Sequence, residues 1–272
     1  MPRISVKEAD DILDKEYPVL DHGFVRLVDY MGGDARIVAA ARVSFSAGTK
    51  TVREDKALIG YLLRNEHTSP FEQVVLTFHC KMPIFVARQW IRHRTARVNE
   101  MSGRYSTMRN EFYLPETDQL RTQSRTNKQG RSDEDLSAEE KQQVLEMLNK
   151  NQVAAYESYE RLLGAGLARE LARINLPLST YTEWYWQIDL RNLFHFLNLR
   201  LSAHAQYEIR KYAEVMVGIT RKVAPVAYEA FEEHVLRAKR LPASVCKKLK
   251  KFLSSATGGS TEAEELLKIL DE

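Results

Sequence analysis

Apolar and polar residues alternate most clearly over residues 72–83, where Val74, Leu76, Phe78, Cys80 and Met82 fall on one side and Val75, Thr77, His79 and Lys81 on the other. A period of two predicts a strand with one buried face. GFVRLVDYMG at 23–32 alternates similarly and predicts a strand ending at Gly32-Gly33. Asp34 is a candidate N-cap for a helix over DARIVAAARVSF. REDKALIGYLLRNEH predicts a second helix, with apolar residues at Leu58, Tyr61 and Leu62, acidic residues near its start and Pro70 ending it. PIFVARQWIRHR predicts a third, with Pro83 at its first turn and an inner stripe of Ile84, Ala87 and Ile91. Residues 95–102 then form a loop, and residues 1–21 are polar without a clear period.

The stretch 117–137 holds only two leucines and is expected to be a loop or disordered insert. A long amphipathic helix follows and ends at glycine, and a shorter one is stopped by Pro177. STYTEWYWQID is aromatic and prone to β-structure, and residues 190–236 are helical with a break near Ser202. The tail reads as a basic amphipathic piece, a flexible linker and a short acidic helix. The expected organisation is one domain over 1–240, with the polar insert at about 117–137, and a tail over 241–272. The fold class expected is α+β (mixed α/β), a central β-sheet flanked by helices, with long helices in the C-terminal half.

Composition narrows the function. Lys plus Arg is 40 against 37 Asp plus Glu in 272 residues, so the chain is no polycation and any anion site must come from local clustering. Cys80 and Cys246 are too few for a disulfide framework or a zinc knuckle, and no HxxxH pair with acidic support is present, so no metal is expected. The start lacks a signal-peptide h-region and no window approaches 18 apolar residues, which predicts no membrane segment and a cytoplasmic protein.

One window departs from this balance. RQWIRHRTARVNEMSGRYSTMR, residues 88–109, packs six arginines and one histidine into 22 residues with a single glutamate. It is either a solvated basic face or an anion site. Arg92, Arg94 and Arg104 converging with Gln89, Ser102 and the Gly103 amide would suit a phosphate. The admixture of Trp90, His93, Asn99 and Glu100 favours a site over a merely solvated face. Arginine interleaved with Trp90 also fits single-stranded nucleic acid, and CKKLKKFL adds a second basic patch, but the near-neutral charge and the lack of a nucleic-acid motif count against that.

Arg92-His93-Arg94, seven residues, then Ser102 resembles the signature of the flavin-dependent thymidylate synthases. HTSPFE at 67–72, PIFVARQW at 83–90, NEMSGRYS at 99–106, EFYLP at 111–115, LARINLPL at 171–178 and FLNLRLSAHAQYEIR at 196–210 extend the resemblance from about residue 23 to about 235. It implies an enzyme that methylates dUMP at C5, with methylenetetrahydrofolate as carbon donor and FAD, reduced by NADPH, as hydride source. It also implies a homotetramer whose active sites draw on several subunits.

By this resemblance Ser69, Arg92, His93, Arg94, Glu100, Asp189, Leu190, Arg191 and His195 contact FAD, and His67 lies near the flavin and folate. Gln89, Trp90, Ile91, Arg92, Glu100, Met101, Ser102, Gly103, Arg104, Arg173 and Arg200 contact the nucleotide. Arg200, set among apolar residues and expected to be buried, stabilises the ionised uracil as the catalytic residue. From the residues alone, Arg173 could instead form a surface ion pair with Glu170, and His67 could be a turn residue. A flavoprotein without methyl transfer would need neither Arg173, Ser102 nor Arg200. Cys80, on the apolar side of its strand, reads as an inert thiol, and Ser102 as a phosphate ligand rather than a nucleophile. Arg97 departs from the family pattern, which usually has a small residue there.

Overall fold

The computed structural model describes residues 4–43, 52–125, 130–256 and isolated positions near 266–270. The chain divides into two compact units, Met1–Phe231 and Glu232–Glu272. The first contains α1 (Lys7–Asp10), β1 (Glu16–Val19), β2 (Gly23–Met31), α2 (Asp34–Arg42), α3 (Val52–Arg64), β3 (Val75–Pro83), α4 (Ile84–Trp90) and β4 (Arg97–Glu100). It continues through β5 (Arg121–Gln123), β6 (Arg131–Asp135), α5 (Ala138–Gly164), α6 (Arg169–Ala172), β7 (Tyr181–Asp189), α7 (Leu190–Arg200), α8 (Tyr207–Val223) and α9 (Pro225–Phe231). The second begins with a π-helical turn, Glu232–Leu236, and carries α10 (Ala243–Ala256). The linker and most of the acidic helix expected in the tail lie outside the described residues.

Five antiparallel strands form the main sheet in the order β1-β2-β3-β7-β4, which is the mixed α/β architecture expected. The alternation of β3 is realised: Val74, Leu76, Phe78, Cys80 and Met82 are all fully buried. Val25, Leu27, Trp184, Trp186 and Ile188 continue that face, which α4, α7 and α8 cover. The opposite face is polar and partly open, with Arg26, Thr77, His79, Glu183 and Gln187.

Several expectations are corrected. Asp34 opens α2 but does not cap it; its carboxylate accepts from the Val226 and Ala227 amides, each at 2.9 Å, and so caps α9. In α3 the buried residues are Ile59 and Leu62, while Tyr61 is exposed. Positions 44 and 45 of the helix expected after Asp34 lie outside the described residues. The stretch expected as loop or disorder contains the hairpin β5–β6, registered Arg121 with Asp135 and Gln123 with Arg131. The hairpin is tied down by Arg131, which pairs with Glu208, a buried carboxylate that also accepts from the Tyr113 hydroxyl at 3.1 Å. Hydrophobic content did not signal it because this tether is ionic. α5 starts at a capping box, Ser137 with Glu140, and ends through Gly166 at φ +82, a left-handed position that favours glycine.

Candidate active site

The basic window begins where β3 turns into α4. Pro83 (φ −62, ψ 146) suits both the end of a strand and the start of a helix. The Ile84 amide donates to Thr180 O at 2.9 Å and the Phe85 amide to Leu178 O at 3.0 Å, fastening the start of α4 to the segment ahead of β7. The helix ends at Trp90, four residues before the expected Arg94, because Trp90 is held in the core by Trp184, Trp186, Phe196 and Tyr212 with ring separations of 5.1–5.7 Å. Its inner face is therefore Val86, Ala87 and Trp90, and Ile91 is exposed. A fully buried indole cannot stack on a base, which removes the aromatic platform of a nucleic-acid interface and keeps the Trp90 side chain from any ligand.

After a turn the chain enters β4, which was expected as loop. All four of its residues are exposed, so no alternation marks it; it is held by pairing along β7, from Arg97 opposite Gln187 to Glu100 opposite Trp184. This edge strand lies in the chain between two groups of side chains. At a strand rise of about 3.3 Å per residue its ends are about 10 Å apart.

At the first end, Arg200 Nε donates to His93 Nε2 at 3.1 Å. A guanidinium only donates, so the neutral imidazole carries its proton on Nδ1. The His93 ring lies edge-on to Phe196 at 4.9 Å and 6.0 Å from His195. Burial, then the charge of Arg200 and that of His195, bring its pKa down to about 4, so it is neutral near pH 7. Arg200 closes the last turn of α7 and is half-buried rather than buried, because it sits at the helix end, where the neighbouring Leu199 is also exposed. Burial lowers the pKa of its guanidinium, which stays charged. Arg92 and Arg94 are exposed with no acidic partner among the described residues. The Gln89 side-chain oxygen is shut off from solvent without a hydrogen bond.

At the second end, the Met101 amide donates to Glu183 O at 2.8 Å, and Ser102 Oγ accepts from the Arg104 amide at 3.3 Å. Gly103 is buried so tightly that a Cβ there would lie 2.8 Å from Met108 Sδ and 3.2 Å from Arg173 Nη1. A side chain here would crowd both Met108 and Arg173, so glycine lets Arg173 pack close on this turn. Glu170 pairs with Arg104 Nε at 3.1 Å, not with Arg173, which has no acidic partner among the described residues. The turn is pinned to α5 by two tyrosines: Tyr159 accepts from the Met108 amide at 3.0 Å and Tyr156 donates to Met108 O at 3.1 Å. Their spacing of three along a helix was the legible signal for this support. Glu100, the last residue of β4, accepts from Thr182 Oγ1 at 2.6 Å.

The remaining candidates are more scattered. His67 and Ser69 are exposed in the turn after α3, where the His67 ring meets Tyr61 edge-on at 5.9 Å. Among the described residues no hydrogen bond or ring contact joins them to the His93 group. Asp189 caps α7 by accepting from the Asn192 amide at 2.9 Å and side-chain nitrogen at 2.7 Å. Leu190 is fully buried, Arg191 is exposed against Asn192, and His195 is exposed beside His93. One polar network was overlooked: Arg26 donates to His79 Nδ1 at 2.8 Å, leaving Nε2 to donate to Glu183 at 3.2 Å, and Arg109 holds the other Glu183 oxygen at 2.8 Å. The position of His79 on the polar side of β3 was its only signal.

Over residues 26–226 the sequence matches the family described as Thymidylate synthase complementing protein. The chain belongs to this family, the flavin-dependent thymidylate synthases. The flavin-dependent thymidylate synthase of Treponema denticola is 65% identical over 222 residues, covering 82% of this chain and 84% of the relative. That of Ehrlichia ruminantium (strain Gardel) is 52% identical over 275 residues, covering 98% and 92%. Among solved structures, a UMP/dUMP methylase, PolB from Streptomyces cacaoi, bound with 5-Br dUMP, is 36% identical with a TM-score of 0.73, covering 81% of this chain and 99% of that one. The family match takes in both ends of β4 and all of α7.

Proposed function

We propose that this chain is a thymidylate synthase that converts dUMP to dTMP, with methylenetetrahydrofolate as carbon donor and NADPH-reduced FAD as hydride source. The observation that carries this is the presence of two unlike groups on either side of β4 in the chain: a neutral imidazole holding a half-buried guanidinium before it, and a hydroxyl, a glycine turn and an arginine without an acidic partner among the described residues after it. A nucleotide needs such a pair, one end for its base and one for its phosphate. That PolB, a methylase of the same fold, holds 5-Br dUMP supports the assignment.

In this reading Ser102, the Gly103 amide, Arg104 and Arg173 take the phosphate, the guanidinium of Arg173 directly and that of Arg104 alongside Glu170. Arg200 faces the uracil and stabilises negative charge as the N3 proton leaves, making C5 nucleophilic. No protein nucleophile is required. The Cys80 thiol is fully buried and pushed well up in pKa by that burial, and Ser102 Oγ accepts from a backbone amide and, among the described residues, has no basic side chain hydrogen-bonded to it.

The donor set also fits FAD. Arg92 and Arg94 are exposed cations without acidic partners among the described residues, and His93 offers a neutral Nδ1–H. With His195, Arg191 and Asp189 they would hold the flavin. When bound, a reduced flavin supplies the hydride that turns the transferred carbon into a methyl group. His67 and Ser69 would complete the flavin site of a homotetramer whose sites are shared between subunits. A cytoplasmic location, with the catalytic residues confined to the segment before 240, completes the proposal.

The test is dTMP formation from dUMP, methylenetetrahydrofolate and NADPH, using protein stripped of flavin. Product that appears only when FAD is restored is the expected result. No product with every component present, or equal product without FAD, would refute the assignment.

A further inference from the structure

Arg200 is anchored by a partner that carries no negative charge. Its Nε–H meets His93 Nε2 at 3.1 Å, and this is its only polar partner among the described residues. His93 is in turn fixed on three sides: edge-on against Phe196 at 4.9 Å, beside His195 at 6.0 Å, and closed onto the turn by its amide, which donates to Trp90 O at 3.0 Å. Trp90 and Phe196 are both fully buried and stacked 5.1 Å apart, so the imidazole sits on a rigid platform.

A carboxylate at this position would take two guanidinium donors and neutralise the charge. A neutral imidazole takes one and leaves the charge undiminished. We propose that His93 is a positioning residue for Arg200: its Nε2 holds the Nε–H, aims both terminal NH2 groups at the uracil, and leaves the full positive charge to meet the ionised base. This rests on the placement of Arg200 against the uracil given above. The same bond fixes the ring proton on Nδ1, so that His93 presents a donor, never an acceptor, from its other edge.

Two readouts test this. In protein labelled with 15N-histidine, the His93 signal, assigned by its loss in His93→Gln, should show a protonated Nδ1 and a bare Nε2. Arg200→Met should shift the ring toward the Nε2–H tautomer. A protonated Nε2 in the unsubstituted protein overturns the proposal, and this result does not depend on what Arg200 does to uracil. The second readout is release of the dUMP C5 proton with FAD bound. His93→Phe keeps the ring against Phe196 but removes the acceptor, and misaiming of this kind costs about 10²-fold in rate. His93→Gln restores an acceptor near the Nε2 position and should recover at least about tenfold of that loss, with dUMP affinity changed less than the rate in both. Equal rates for Phe and Gln variants, or a Phe variant with unchanged exchange, would overturn it. If Arg200→Ala itself left exchange untouched while the tautomer was as expected, the uracil assignment would fall and the anchoring would stand.

Discussion

The two ends of β4 are built on opposite plans. The end proposed for the phosphate is closed: Arg104 is paired with Glu170, the turn is pinned by Tyr156 and Tyr159, and Arg173 packs on Gly103. The end proposed for the base is open: Arg92 and Arg94 stand exposed without acidic partners among the described residues, and Arg200 leans on a neutral ring. A phosphate is a compact, fixed charge, and a rigid cradle suits it. A base that gains charge during reaction calls for a cation that is not already neutralised. In the proposed reading, binding falls chiefly to one end and chemistry to the other.

The largest effect is expected from the anchor under the base end. Trp90→Ala removes a fully buried indole and should lower the stability of the fold by about 3–5 kcal/mol, measured by urea unfolding. A loss under about 1 kcal/mol would mean that the aromatic cluster does not hold the turn. Next, Arg200→Ala should slow C5 proton release from dUMP by about 10²–10³-fold with FAD still bound. Unchanged exchange would move the chemistry elsewhere.

A smaller effect concerns pH. His93 has a folded value near 4 against an ordinary 6.5, so the unfolded chain takes up its proton first. The stability it contributes is complete above pH 6.5 and is lost as pH falls from 6.5 towards 4. His93→Phe should flatten that part of the unfolding curve, and an unaltered slope would show that His93 is not held neutral. The smallest effect is expected from Glu170→Gln, which breaks an exposed pair worth about 0–1 kcal/mol. Stability and dUMP affinity should change by less than about fivefold; a larger loss of affinity would show that Arg104 depends on this partner.

Much of the site was legible because its chemistry is local in sequence. The alternation of β3 marked the buried face, and six arginines clustered beside a serine and a glycine marked the segment proposed as the anion site. What escaped depends on tertiary contacts. β4 is fully exposed and paired only through its backbone, so no pattern announced it. Trp90 lies at the boundary of helix and turn, where only the packing of Trp184, Trp186 and Phe196 decides whether it faces ligand or core. Arg200 sits in an apolar run that implies burial, yet a helix end leaves it half-exposed, and its partner His93 lies 107 residues away.

The most direct measurement compares dUMP with deoxyuridine, which lacks the phosphate, as ligands of the unsubstituted protein and of Arg173→Met and Arg200→Ala. The unsubstituted protein should prefer dUMP strongly. Arg173→Met should cut that preference by about 10- to 100-fold, the worth of a charge-assisted hydrogen bond, and Arg200→Ala should leave the ratio nearly unchanged. A ratio insensitive to Arg173, or one that collapses equally on loss of Arg200, would contradict a nucleotide laid along β4 with its phosphate at one end and its base at the other.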